Sequence, residues 1–168
     1  TTSTANYDIT QKALSAAITA SSSVYASNLT PGAVTLTGVE LNDVVENTAS
    51  VNVSATSTSG KYIVGSYTQT TGNLGGTDSA NYSLAPTTST ANYDITQKAL
   101  SATIAASSSV YASTLAPGAV TLTGVELNDV VSSSGASVNV SATSTSGNYV
   151  VGSYTQSTSG ISGTDSAN

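Results

Sequence analysis

The sequence predicts an all-β protein: tandem small antiparallel β-sandwich domains, Ig-like or β-grasp-like, arranged as beads in a rod. Three observations predict it. The 168-residue chain repeats itself at an offset of 86. Val, Ile and Tyr recur at period two in short windows, as they do on pleated strands. Gly and Pro clusters punctuate those windows at strand-like intervals. The composition agrees: 31 Ser and 28 Thr compete with helix hydrogen bonds, while 33 Leu, Ile and Val with nine Tyr supply a thin core. That aliphatic share lies near the border of disorder, but a net charge of −6 is modest for the length.

Self-comparison decides the organisation. TTSTANYDITQKALSA, Thr1 to Ala16, recurs unchanged at Thr87 to Ala102, and 41 of the 45 positions from Thr1 to Val45 match Thr87 to Val131. Only Ala17/Thr103, Thr19/Ala105, Asn28/Thr114 and Thr30/Ala116 differ. Beyond Val45 the second copy gains one residue, and the offset is 87 through SVNVSATSTSG, GSYTQ and GTDSAN. A unit of this length is large enough to own a core, unlike solenoid repeats of roughly 20 to 45 residues.

Six strands per copy are expected. ANYDIT places Ala5, Tyr7 and Ile9 inward against Asn6, Asp8 and Thr10. KALSAAITA offers Leu14, Ala16 and Ile18. In AVTLTGVEL, Val34 and Leu36 face inward, and Gly38 marks a bulge that shifts parity so that Val39 and Leu41 also turn inward. SVNVSAT alternates most cleanly, with Val51, Val53 and Ala55 against Asn52, Ser54 and Thr56. YIVGSYT follows, then NYSL with Tyr82 and Leu84. Pro31-Gly32, Pro117-Gly118, Ser59-Gly60 and the glycine-rich TTGNLGGTDSAN are read as turns and loops. No window holds the helical period over three turns, and VELNDVVEN offers one helical turn at most.

Domain boundaries follow from the repeat. Residues 1–10 read as the closing strand of a preceding repeat, 11–96 as the first repeat domain, and 97–168 as a second repeat domain lacking its final strands. Both ends are expected to be cuts through a longer array, or complementary halves of one split domain. The repeat junction falls at Gln97 and Lys98, with no Gly or Pro to loosen it, which predicts a stiff join.

The alphabet excludes most chemistry. There is no His, Cys, Arg, Met, Trp or Phe. Imidazole, thiolate and guanidinium groups carry much of acid/base, nucleophilic and phosphate chemistry, so no enzyme and no cofactor are expected. An acidic chain without Arg has no counterion-releasing surface, which removes nucleic acid as a partner. No apolar run approaches the roughly 20 residues a bilayer crossing needs, so no membrane insertion is expected. A lack of oxidisable Cys, Met and Trp suits long exposure outside a cell.

Five segments carry a likeness to a known family: ITASSSVYAS (Ile18 to Ser27), GVELNDVV (Gly38 to Val45), GSYT (Gly65 to Thr68), TDSANYSL (Thr77 to Leu84) and DITQKALS (Asp94 to Ser101). In this order they resemble the YDG or MBG repeats of large bacterial surface adhesins and filamentous-haemagglutinin-like proteins, over nearly the whole chain. The departure is at the family's VYDG, where this chain has Val24-Tyr25-Ala26-Ser27 and Val110-Tyr111-Ala112-Ser113. The resemblance implies an extracellular, non-catalytic spacer at the cell surface or in a secreted fibre, holding a binding tip away from the cell.

Candidate sites are few. Glu40, Asn42 and Asp43, with Glu126, Asn128 and Asp129, are the calcium candidates, although Asn-Asp is ordinary turn chemistry and the spacing is no EF-hand. Lys12 and Lys98 read as edge charges rather than catalytic or cross-linking lysines. The sequons at Asn28, Asn52, Asn81 and Asn139 leave glycosylation open. Tyr25, Tyr62 and Tyr67 are undetermined between core packing and glycan stacking, so a carbohydrate- or surface-binding module is the rival reading, with a surface glycan as partner. The favoured partners are copies of the chain, or neighbouring repeats, met head to tail. In that arrangement Ala5, Tyr7 and Ile9 form an inter-unit strand that completes the unfinished second repeat.

Overall fold

The structure, a computed structural model, describes residues 3–168. Thr1 and Thr2 of the expected closing strand lie outside the described residues. The fold is all-β, with fourteen short strands and one 3-10 turn, Ser79–Asn81, among the described residues. It divides into two compact units. The first runs to Ala55 and resumes at Tyr62–Thr96; the second combines Thr56–Lys61 with Gln97–Asn168.

The first unit contains β1 (Lys12–Ile18), β2 (Ser21–Val24), β3 (Val34–Thr37), β4 (Ala49–Val51), β5 (Gly65–Tyr67), β6 (Gln69–Thr71), β7 (Tyr82–Leu84) and β8 (Tyr93–Thr96). They form three small sheets ordered β3-β1-β7, β2-β8-β5 and β4-β6. β8 holds the core together because it lies between two strands and alternates strictly. Tyr93 and Ile95 are buried while Asp94 and Thr96 are exposed. With Tyr25 they make the central cluster, and Val51, Val53, Val64 and Tyr67 pack around it. Burial of an aliphatic side chain the size of Ile95 contributes about 1.5–3 kcal/mol.

The second unit contains β9 (Ser101–Ile104), β10 (Val120–Thr123), β11 (Ser132–Ser133), β12 (Ala136–Val138), β13 (Gln156–Thr158) and β14 (Ile161–Ser162). They pair as β9 with β10, β11 with β14 and β12 with β13. Here the repeat breaks down. Ser107–Val110 and Gly152–Tyr154 have the sequences of β2 and β5, yet form no strand. Every buried hydrophobic side chain among the described residues belongs to the first unit.

Antiparallel pairing, expected throughout, holds for six of the eight strand pairings among the described residues. β1 with β7 and β2 with β8 are parallel. Both join strands far apart in sequence, which leaves room for the crossover that parallel pairing requires.

Three local expectations are corrected. Tyr7 and Ile9, assigned inward, are about nine-tenths exposed, and residues 5–10 form no strand, because no neighbouring strand pairs with them among the described residues. Leu41 is also exposed: after Gly38, at φ 105°, the chain leaves β3 and turns through Asn42, at φ 74°, which carries Leu41 outward. The helical turn allowed in VELNDVVEN does not form; the 3-10 turn lies instead in the TDSAN loop.

Candidate functional site

In the first unit, β8 fills a slot between β2 and β5, and the surrounding residues are built to receive it. Ser21 N donates to Asn92 O at 3.1 Å and Tyr25 N to Thr96 O at 2.8 Å, so the parallel ladder is tied at both ends. On the other side Ser66 Oγ donates to Asp94 at 2.5 Å. Thr30 N donates to the Tyr93 hydroxyl at 2.9 Å, which satisfies the polar end of a ring that has no exposed surface. Gln69, fully buried, accepts from Gly32 N at 2.6 Å and donates to Thr19 O at 3.1 Å and to Asn92 Oδ1 at 2.9 Å. One side chain thus clamps the Pro31-Gly32 turn, the end of β1 and the approach to β8. The close approach at the turn demands glycine: a Cβ on Gly32 falls 1.8 Å from Thr19 O.

In the second unit the walls keep the same local geometry. Gly118 N donates to Gln156 Oε1 at 2.7 Å, and a Cβ on Gly118 falls 1.8 Å from Ala105 O. Ser107 Oγ donates to Ala116 O at 2.6 Å, as Ser21 Oγ does to Thr30 O at 2.7 Å. The Tyr154 hydroxyl donates to Val150 O at 2.7 Å, as Tyr67 does to Ile63 O at 2.8 Å. Ala26 and Ala112 share a left-handed conformation, φ 66° and 67°.

Between these walls lies an open groove of about 830 Å³. It is lined by Ser107–Ala116 and Gly147–Tyr154, with Val138, Val140 and Gln156. Tyr111 is 48% exposed, whereas its copy Tyr25 is 3% exposed. Ala116 N, whose copy in the first unit meets the Tyr93 hydroxyl, is met by Ser109 Oγ at 2.9 Å. The Tyr111 hydroxyl pairs with Ser144 and Ser146, and these bonds hold its pKa below the ordinary tyrosine value.

The acidic candidates are engaged in structural contacts. Glu40 pairs with Lys12, and Glu126 with Lys98 at 2.9 Å, so the same junction lysine meets the same glutamate in both copies. Their mutual hydrogen bond raises the Lys12 pKa and lowers that of Glu40. Asp43 accepts from the Tyr82 hydroxyl, a bond that raises the Tyr82 pKa. Asp129 accepts from Ser59 N at 3.2 Å. Asn42 and Asn128 turn the chain, both at φ 74°. Among the described residues, no three His, Cys, Asp or Glu gather as a metal site would require. At the junction, Gln97 Nε2 donates to Ala167 O at 3.1 Å and Lys98 N to Asn168 O at 2.8 Å.

Two structural residues escaped the sequence reading. Gln69 with its copy Gln156 was one, although a lone Gln kept in both YTQ segments was the available signal. Asp165, 4% exposed, was the other: it accepts from Val130 N at 2.8 Å and Thr58 N at 3.1 Å, and these bonds hold its pKa below the ordinary 3.8. Its copy Asp78 likewise accepts from Val44 N at 2.8 Å. No helix among the described residues is long and apolar enough to cross a membrane. Compared with protein-family models, curated proteins and solved structures, the chain matches none.

Proposed function

We propose that the chain is a non-catalytic extracellular structural repeat of a bacterial adhesin stalk or surface fibre, of the kind its YDG/MBG-like segments suggest. Its work is mechanical: reach and stiffness, with force borne by strand hydrogen bonds inside each bead and by the short join at Gln97 and Lys98. The observation that carries this reading is that three sets of polar side chains hold the scaffold together in matching roles in the two copies. Lys12–Glu40 and Lys98–Glu126 are one such pair, Gln69 and Gln156 another, Asp78 and Asp165 a third.

The rival, a carbohydrate-binding module, would need exposed rings placed for stacking. Tyr62 and its copy Tyr149 are exposed alike in both units; Tyr111 and Tyr154 are exposed at the groove, but their copies are Tyr25, in the core cluster of the first unit, and Tyr67, packed against it. The exposure of Tyr111 and Tyr154 therefore follows from the open slot. The test is immunogold labelling of intact producing cells with antibodies raised on the chain. Label on surface filaments supports the reading, and label seen only after lysis contradicts it. A glycan array with a reproducible hit would favour the rival.

A further inference from the structure

We infer that the first unit is a mechanical clamp: its two parallel pairings, β1 with β7 and β2 with β8, are loaded lengthwise when tension enters before Lys12 and leaves after Thr96. The strand order supplies the reasoning. β1 and β2 are the first two strands of the unit, and β7 and β8 are the last two. Each parallel pairing therefore joins an entering strand to a leaving one. Tension drags the entering strand towards its N-terminal end and the leaving strand towards its C-terminal end. In a parallel pair these two ends lie at opposite ends of the ladder, so the strands are forced to slide past each other and the bonds between them share the load. An entering and a leaving strand paired antiparallel would present both loaded ends at the same end of the ladder and would open bond by bond.

Both ladders are reinforced beyond their own register. In the first, Lys12 lies opposite Tyr82 and Leu14 opposite Leu84, and Gln11 Nε2 extends the pairing by donating to Ala80 O at 3.0 Å. In the second, Ser21 lies opposite Tyr93 and Val24 opposite Thr96. Ser21 N and Tyr25 N close its two ends on Asn92 O and Thr96 O, and Thr96 Oγ1 donates to Ser23 O at 3.3 Å. Asn92 Nδ2 donates to Ile18 O at 3.1 Å, which couples the end of β1 to the approach to β8. Leu14, Tyr82, Tyr93 and Ile95 are buried along these ladders, so water has little access to replace the bonds as they stretch. β5 holds the other side of β8, which must therefore slide against two neighbours. With four residue pairs against three, the β2–β8 ladder is the stronger of the two and sets the peak resistance. β4 and β6, by contrast, are interior strands that pair with each other, off the direct route from entry to exit.

The inference deepens the structural-repeat reading and rests on it for its setting, but its test is independent of where the protein resides. The chain has no cysteine, so a pair of introduced thiols places pulling handles without ambiguity. In the full chain, Thr10→Cys/Ala99→Cys loads the first unit lengthwise, whereas Ala20→Cys/Thr90→Cys draws β2 and β8 apart from the end they share; all four positions are exposed. Pulled in optical tweezers at one speed, the lengthwise pair is expected to yield at a several-fold higher force than the other pair, since its bonds must fail together. Forced unfolding follows the unfolding rate rather than equilibrium stability, so urea titration should show the two handle variants to be alike. Equal forces, or the reverse order, would overturn the inference. Two proline variants carried on the lengthwise pair locate the resistance. Ser21→Pro removes the N–H that meets Asn92 O and should lower the force, whereas Asn52→Pro removes the N–H that meets Thr68 O, next to β4, and should leave it unchanged. A force unmoved by Ser21→Pro, or lowered as far by Asn52→Pro, would overturn the inference by placing the resistance outside the β2–β8 ladder. None of these outcomes bears on surface labelling: labelled filaments with equal forces would leave the repeat reading without the clamp, and a high lengthwise force in a chain labelled only after lysis would leave the clamp without that reading.

Discussion

At the scale of single residues, the polar clamps matter more than the surface charges. Replacing the fully buried Gln69 by Leu leaves Gly32 N without its acceptor and takes a donor from Thr19 O, while Asn92 Oδ1 keeps the Ser89 hydroxyl. Unpaired buried polar groups cost about 1–3 kcal/mol each, so Gln69→Leu is expected to destabilise the first unit by about 2–4 kcal/mol in urea titration. Gln156→Leu should cost less, because Gln156 is only half-buried and no counterpart of Asn92 joins it. Asp165 supplies a pH dependence. Its folded pKa is lowered by the Val130 and Thr58 bonds, so the unfolded chain holds the proton more tightly. Its contribution is complete above the ordinary 3.8 and is lost as pH falls through that value towards the lowered one. Urea titrations across this acidic range should show the second unit losing stability, and Asp165→Asn should flatten that limb. Neither residue stood out in the sequence, since one Gln among threonines and one Asp in a glycine-rich loop look like solvent-facing polarity until the fold buries them.

At the scale of elements, β8 decides which neighbours become strands. SSSV and GSY occur twice without change, and they are strands only where β8 lies between them. Period-two alternation therefore told correctly which side chains of ANYDIT a sheet would bury, and Tyr93 and Ile95 obey it. It could not tell whether a partner strand is at hand, and so Tyr7 and Ile9 follow the same pattern yet lie in the open. The parallel pairings were illegible for a related reason: alternation is the same for either strand direction, and only long-range topology separates them. Removing the large side chain at Tyr93 or Ile95 is expected to cost about 2–5 kcal/mol, the range for emptying a packed core position. Measured by denaturation of the full chain, Ile95→Ala should lower the midpoint of the first unit, while Ile9→Ala, at an exposed position, should leave the monomer's stability within about 0.5 kcal/mol of the parent.

At the scale of the whole molecule, two units of nearly one sequence differ in how much core they own. The first buries Leu14, Tyr25, Tyr82, Tyr93 and Ile95; no hydrophobic side chain of the second reaches that burial among the described residues. Calorimetry of the chain should therefore give two transitions, with the second unit melting first. The all-β class and the duplication were plain from composition and self-comparison, whereas the asymmetry between copies was not, because it lies in contacts rather than in residues. The most direct measurement is amide hydrogen exchange, in the dilute monomer, at the identical segments Ser21–Tyr25 and Ser107–Tyr111. The account predicts slow exchange at Ser21 and Tyr25, whose N–H groups are bonded to Asn92 O and Thr96 O, and fast exchange at Ser107 and Tyr111. Equal protection of the two segments would contradict it.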